Sequence, residues 1–218
     1  IVPDEYQVQT FLPVGLPLIS GLSDWSDSEA GSGESFERRM GDNHDGLWFY
    51  GLKDGKLDYN TSERGLLAIN HEYVEPDRLN PLGFFTTDIA DKAGTIYAKQ
   101  RLAQDVRREI NAHGVAVVEV KRSANGQFEL VKDSKFNRRV TSATVVDIAG
   151  PAAGSDLLKT KYDITGKTTR GINNQCGSGA SPWGTYLTVE ENFLNVFARS
   201  DDTGKVSDAI NTGFSRYG

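Results

Sequence analysis

Two groups of residues in this sequence have the types and spacing to do chemistry, and a third has only the types. The first surrounds Cys176, the only cysteine, within 171–192, GINNQCGSGASPWGTYLTVEEN. Its neighbours Asn173, Asn174, Gln175, Gly177, Ser178 and Gly179 include no apolar residue and follow no regular period. The stretch therefore reads as an irregular loop whose glycines let backbone groups approach a ligand. A thiolate there is a nucleophile or a metal ligand, whereas a lone cysteine is otherwise a small buried hydrophobe. As a nucleophile it needs a base, which His44, His71 or His113 supply only through tertiary folding. As a ligand it has no CxxC or HxxxH companion, which argues against structural zinc and leaves a mixed thiolate–carboxylate site. Glu190 and Glu191 follow the short apolar run 185–189. Side chains alternate along a strand, so one of the pair is expected to face the site, and both only where the strand ends or bulges. Adjacent glutamates at a strand end are also commonly solvated.

The second group is Asn70-His71-Glu72-Tyr73, polar residues closing an apolar run. Glu72 suits calcium, a hard cation that takes carboxylate oxygens. Spacing alone favours an ordinary polar strand end here. The third group, Asp24, Asp27, Glu29 and Glu34, matches no calcium loop and reads as a solvated segment. No nucleophile elbow, phosphate-binding loop or dinucleotide fingerprint occurs; GPAAG at 150–154 is too short to count.

The elements that must hold these residues are short and mostly extended. Strands are expected at 6–14, 46–52, 64–71, 114–121, 127–132, 139–149 and 185–189. Asp54-Gly55 and Asn125-Gly126 mark two hairpin turns. One helix is expected over 98–112, where Leu102, Val106 and Ile110 recur every fourth residue, with His113-Gly114 as its stop. A further helical turn is expected near Ser155 or Asp156. The polar stretch 23–37 reads as the most mobile segment. The fold class is mainly β, a sandwich, barrel or propeller with an inserted helix, in a single β-rich unit without an internal linker. No repeat of propeller-blade length is visible.

Composition narrows the function. At 218 residues with net charge -6 and pI about 5.1, a nucleic-acid partner is not expected. The basic clusters at 107–108 and 136–139 are too short to track phosphates and read as solvated faces. No apolar run reaches membrane-span length, and one cysteine rules out an intrachain disulfide. The first residues carry neither an initiator Met nor a signal h-region, so any export signal is expected to have been removed or left out.

Two segments then carry a resemblance. FNRRVTSATVVDIAGPAAGSDLLKT at 136–160 and GINNQCGSGASPWGTYLTVEENF at 171–193 resemble the PhoX-type alkaline phosphatases, with NNxC, SPWGT and EENF the most specific parts. INHEY and the opening VPDEYQVQTFLPVGLPL are similar to that family as well. The resemblance implies a portion of a β-propeller with at least one inserted α-helix, in an exported (periplasmic or secreted) phosphomonoesterase that uses iron (Fe3+) and calcium. It implies Cys176 as an iron ligand, and Glu72, Glu190 and Glu191 as the matching acidic candidates for metal. Asn173 and Asn174, on the same loop, are implied to touch metal or phosphate, which makes Cys176, Asn173 and Asn174 the catalytic candidates. Phosphomonoesters are the implied substrates, and a monomer with no integral membrane segment is expected. Members of that family are much longer, so 1–218 is expected to be an N-terminal portion, inactive and poorly stable alone. Two alternatives stand beside this: a non-catalytic calcium-stabilised propeller module, and a calcium-dependent propeller hydrolase such as a lactonase, which needs no thiolate.

Overall fold

The structure, a computed structural model, describes residues 2–26, 28, 31–81, 87–90, 96–192 and 203–217. Its strands are β1 (His44–Lys53), β2 (Lys56–Leu57), β3 (Arg64–His71), β4 (Thr87–Ala90), β5 (Ile96–Gln100), β6 (Gly114–Arg122), β7 (Phe128–Leu130), β8 (Arg138–Val140), β9 (Val145–Asp147), β10 (Thr168–Arg170), β11 (Gln175–Ala180) and β12 (Tyr186–Glu190). Its helices are α1 (Pro76–Leu79), α2 (Ala103–Ala112) and α3 (Asp208–Tyr217). The described residues are thus mainly β, as expected.

One antiparallel sheet organises the chain, in the order β2-β1-β3-β6-β7, with β8 pairing the other end of β6. Both expected turns close hairpins, Asp54-Gly55 between β1 and β2 and Asn125-Gly126 between β6 and β7. Alternation along β3 and β6 gives the sheet two faces. On one face Ile69, Ala116, Val118 and Val120 are buried with Leu12, Leu18 and Met40, and Phe49, Leu67 and Phe128 pack against them. Gly65 makes this possible, because a Cβ there would overlap the Phe49 ring.

The segment 6–14 covers that face without forming the expected strand. Leu12 takes a left-handed φ of 57° and Pro13 follows it, which interrupts an extended ladder. Gln9 pairs with the sheet through its side chain instead: Nε2 donates to Phe128 O at 2.7 Å, and Phe128 N donates to Oε1 at 2.9 Å.

Three other expectations shift. The helix begins at Ala103, since β5 occupies 96–100, and its apolar stripe does not face the core. Leu102 and Ile110 are 44% and 39% exposed, while Asp105, Arg108, Glu109 and Asn111 are buried. Polar pairing decides that orientation: Arg108 Nη1 donates to Asn80 Oδ1 and Asp105 Oδ1 at 2.6 and 2.7 Å, and Asn80 Nδ2 donates to Glu109 Oε1 at 2.6 Å. The run 139–149 splits into β8 and β9 around a turn at 141–144. Within 23–37 a short 3-10 helix forms from Gly33, capped by the Ser32 hydroxyl, and Asp27 and Glu29 of the acidic group lie outside the described residues. The expected turn near Ser155 is present as a 3-10 turn, Asp156–Leu158.

Candidate metal centre

The second face of the sheet carries the β11–β12 hairpin, and this corrects the reading of the cysteine segment. Residues 175–180 form a strand rather than an irregular loop. Its own residues have little strand propensity; pairing with β12 and contact with β1 and β3 hold it. The irregularity that the composition suggests survives as a bulge. Gln175 pairs with Glu190 and Ser178 with Thr188, so β11 uses one more residue than β12, and Cys176 and Gly177 lie in the extra stretch.

A second bulge faces it. His44 pairs with His71 and Leu47 with Ile69, which sets Asp45 and Gly46 of β1 opposite the single residue Asn70. The two irregular stretches touch: a Cβ on Gly46 would stand 2.6 Å from Cys176 O and 2.6 Å from Ser178 Oγ, so only glycine permits this approach. Bulges re-aim side chains near functional sites. Here they bring Asp45, Glu72 and Cys176 together, with their ligand atoms all within 4.8 Å of one another.

The electrostatics of this group point to a cation. The Cys176 thiol is pushed up to about 12 by hydrogen bonds to the Asp45 and then the Glu191 carboxylate, with burial and the charges of both adding to the effect. Burial first, and the charges of Asp45 and Glu191 second, raise the Glu72 carboxyl above its ordinary range. Asp45 Oδ2 is buried and has no hydrogen-bond partner among the described residues. An orphaned carboxylate oxygen beside two further carboxylates and a thiol fits a metal ion, whose charge would offset the repulsion and complete the coordination. The donor set is mixed, with soft sulfur suited to a transition metal and carboxylate oxygen suited to calcium.

The structure separates the expected site residues. Glu191 faces the thiol, while its backbone N–H donates to Asn174 O at 2.8 Å. Glu190 does not face the thiol; its Oε1 accepts from Asn173 N at 3.0 Å and so steadies the loop. Asn174 brackets the site in a left-handed conformation, φ 49°, with Nδ2 3.4 Å from Glu72 O. The Asn173 side chain turns the other way and accepts from Ser142 Oγ. No histidine serves as a base for the thiol through the bonds described. His71 uses both ring nitrogens on backbone, accepting from Gly41 N at 3.3 Å and donating to Asp42 O at 3.1 Å, and His113 donates to Glu109 O at 2.8 Å. His44 lies edge-on against His71, with ring centroids 4.8 Å apart. Phe193, the last residue of EENF, lies outside the described residues.

Asp45 is the residue that the sequence reading missed. In His44-Asp45-Gly46 it resembles an Asp-Gly turn ahead of an apolar strand, and only the bulge reveals its direction. Asn70 was visible only as part of a polar strand end. It is fully buried and bonds to the Cys176 carbonyl at 2.8 Å.

Comparison with known proteins adds two findings. The family model described as Alkaline phosphatase PhoX matches residues 1–218. The solved structure described as Pseudomonas fluorescens PhoX in complex with vanadate, a transition state analogue, superposes with a TM-score of 0.74 at 34% identity. That match covers 93% of this chain and 32% of the other, so the chain spans about a third of that protein's length. No curated protein sequence matches the chain.

Proposed function

The chain belongs to the alkaline phosphatase PhoX family, and from that premise we propose that it contributes part of the metal-dependent active site of an exported phosphomonoesterase. The observation that carries this reading is the convergence of Asp45, Glu72 and Cys176 within 4.8 Å, completed by Glu191 at the thiol. We assign Cys176 as the ligand to iron, and Asp45, Glu72 and Glu191 as carboxylates available to iron and calcium. When bound, the metal ions supply positive charge to the oxygens of a phosphoryl group during in-line displacement. The chain's own residues hold the donors in place. The β11 bulge presents the thiol, the end of β3 presents Glu72, and Asn174 and Glu190 fix the loop between them. Asn173 and Asn174 are assigned to that loop's geometry, with Asn173 N bonded to Glu190 and Asn174 O to Glu191.

We read residues 1–218 as one β-rich portion, on the N-terminal side, of a larger β-propeller. That the match covers 32% of the PhoX structure's chain supports its being a portion of a longer protein. The family supports a periplasmic or secreted location. Among the described residues no helix is long and apolar enough to cross a membrane.

The test is phosphomonoester hydrolysis by the full-length protein, assayed before and after treatment with a calcium chelator. Turnover that disappears with the chelator and returns with calcium supports the assignment. Chelator-insensitive turnover contradicts it. A protein that binds calcium but neither hydrolyses phosphomonoesters nor carries iron fits the alternative of a calcium-stabilised binding module.

A further inference from the structure

We propose that Asn70 is the positioning residue of this centre: its side-chain amide clamps the Cys176–Gly177 bulge against the sheet and so sets the place of the thiol. The inference deepens the metal-site reading above and rests on it. It stands on geometry that the metal ligands do not themselves account for.

Asn70 is completely buried, at 0% exposure. It lies on β3, two residues before Glu72, which follows the end of the strand. Its Nδ2 donates to Cys176 O at 2.8 Å and lies 3.4 Å from Gly177 O. Its Oδ1 accepts from Tyr186 Oη at 2.8 Å, with Thr188 Oγ1 3.1 Å away. A carbonyl oxygen can only accept, so the amide orientation is fixed: nitrogen toward the bulge, oxygen toward the two hydroxyls. The amide therefore ties both strands of the β11–β12 hairpin to β3 at the level of the cysteine.

The bulge needs such a clamp. Between the Gln175 and Ser178 pairings the ladder is interrupted, and a part-buried carbonyl there needs a donor from outside the ladder. Asn70 supplies that donor from the neighbouring sheet layer, while Gly46 on the adjacent strand leaves room for the same carbonyl. The position of Sγ relative to Asp45 and Glu72 is thereby set by a buried side chain that itself offers nothing to the metal. Residues that orient ligands in this way typically change metal affinity by about 10–100-fold when altered.

The experiment compares the full-length protein with its Asn70→Asp and Tyr186→Phe variants. Asn70→Asp keeps the size and the acceptor but replaces the donor that faces Cys176 O; Tyr186→Phe removes a hydroxyl shared between Asn70 Oδ1 and Gly46 O and leaves the donor. Two readouts are taken: hydrogen exchange of the peptide spanning 172–180 in metal-free protein, and Co2+ affinity with its thiolate-to-metal absorption band. Asn70→Asp is expected to melt cooperatively, to exchange at least about tenfold faster over 172–180, and to bind Co2+ about 10–100-fold more weakly. Tyr186→Phe is expected to change both less than Asn70→Asp does, because Thr188 Oγ1 remains for Asn70 Oδ1 and the donor to Cys176 O is untouched. If Asn70→Asp does not fold, Gly46→Ala displaces the same carbonyl from the other side and is expected to reproduce both effects. Wild-type exchange and wild-type Co2+ affinity in the folded Asn70→Asp or Gly46→Ala protein would overturn the clamp. Wild-type protein that binds Co2+ without a thiolate band would refute the ligand assignment of Cys176, and the exchange comparison would still decide the clamp.

Discussion

Glu190 and Glu191 are neighbours in sequence and part company in the structure: the Glu190 carboxylate accepts from the Asn173 backbone amide at 3.0 Å, while the Glu191 carboxylate lies by the Cys176 thiol and helps to push it up. The strand alternation separates them, and the end of β12 at Glu190 leaves Glu191 free to turn inward. One residue builds the loop and the other completes the donor set. Neutralising each should therefore have different consequences. Glu191→Gln is expected to lower metal affinity and turnover by about 100-fold or more, since it removes a charge from the cation site. Glu190→Gln keeps an oxygen for the Asn173 amide and is expected to remain within about twofold. Metal titration and turnover of the two variants provide the check, and equal losses in both would contradict this division of roles.

Among the described residues Arg139 is held by backbone carbonyls and by no carboxylate. Nε lies 3.4 Å from Val115 O, Nη1 donates to Phe36 O at 3.2 Å and to Arg39 O, and Nη2 donates to Asn111 O and His113 O at 3.1 and 2.9 Å. These carbonyls belong to the N-terminal segment, the end of α2 and β6, so one guanidinium joins three parts of the fold. Arg139→Met leaves several carbonyls without donors and is expected to destabilise the protein by roughly 3 kcal/mol or more. Arg139→Lys should recover only part of this, because three donors on a point charge cannot replace five in a planar fork. The urea midpoint tests both variants; an unchanged midpoint in Arg139→Met would refute the role.

Stability should depend on pH through His113, which lies far along the chain from the proposed ligands. Burial, the largest effect, lowers its imidazole below the ordinary 6.5, against the opposing hydrogen bond to Glu109 O. The folded state therefore binds its proton less readily than the unfolded chain. The stabilisation is present above about pH 6.5 and is lost as pH falls through the range below it. Chelator-treated protein should show a urea midpoint that declines from pH 7.5 to 5.5. In His113→Asn, whose amide can still donate to Glu109 O, the decline should be shallower. An identical slope in both proteins would rule out His113 as a contributor.

What the sequence revealed, and what it hid, follows from where each signal is stored. The β3 strand was legible to the residue because its apolar run ends in Asn70 and His71, and the two hairpin turns were legible because Asp-Gly and Asn-Gly carry their own backbone geometry. The strand at Cys176 was not, because QCGSGA has neither alternation nor propensity and is extended only through its partners. The direction of α2 was hidden for the opposite reason. Its apolar period was clear, but Arg108, Asp105 and Glu109 form a buried network with Asn80 that outweighs it. Asp45 joins the site through a register shift that spacing cannot encode. Cys176, Glu72 and Glu191 were legible as donors; the division of labour between Glu190 and Glu191 required the fold.

The central claim is that Cys176 holds a metal beside a carboxylate cluster, and the most direct test is the metal content of the purified full-length protein and of its Cys176→Ser variant, measured by elemental analysis on folded samples. Iron and calcium are expected in the wild-type protein, with iron and phosphatase turnover lost in Cys176→Ser while the protein remains folded. Iron and turnover retained in Cys176→Ser, or an active wild-type protein that carries no iron, would contradict it.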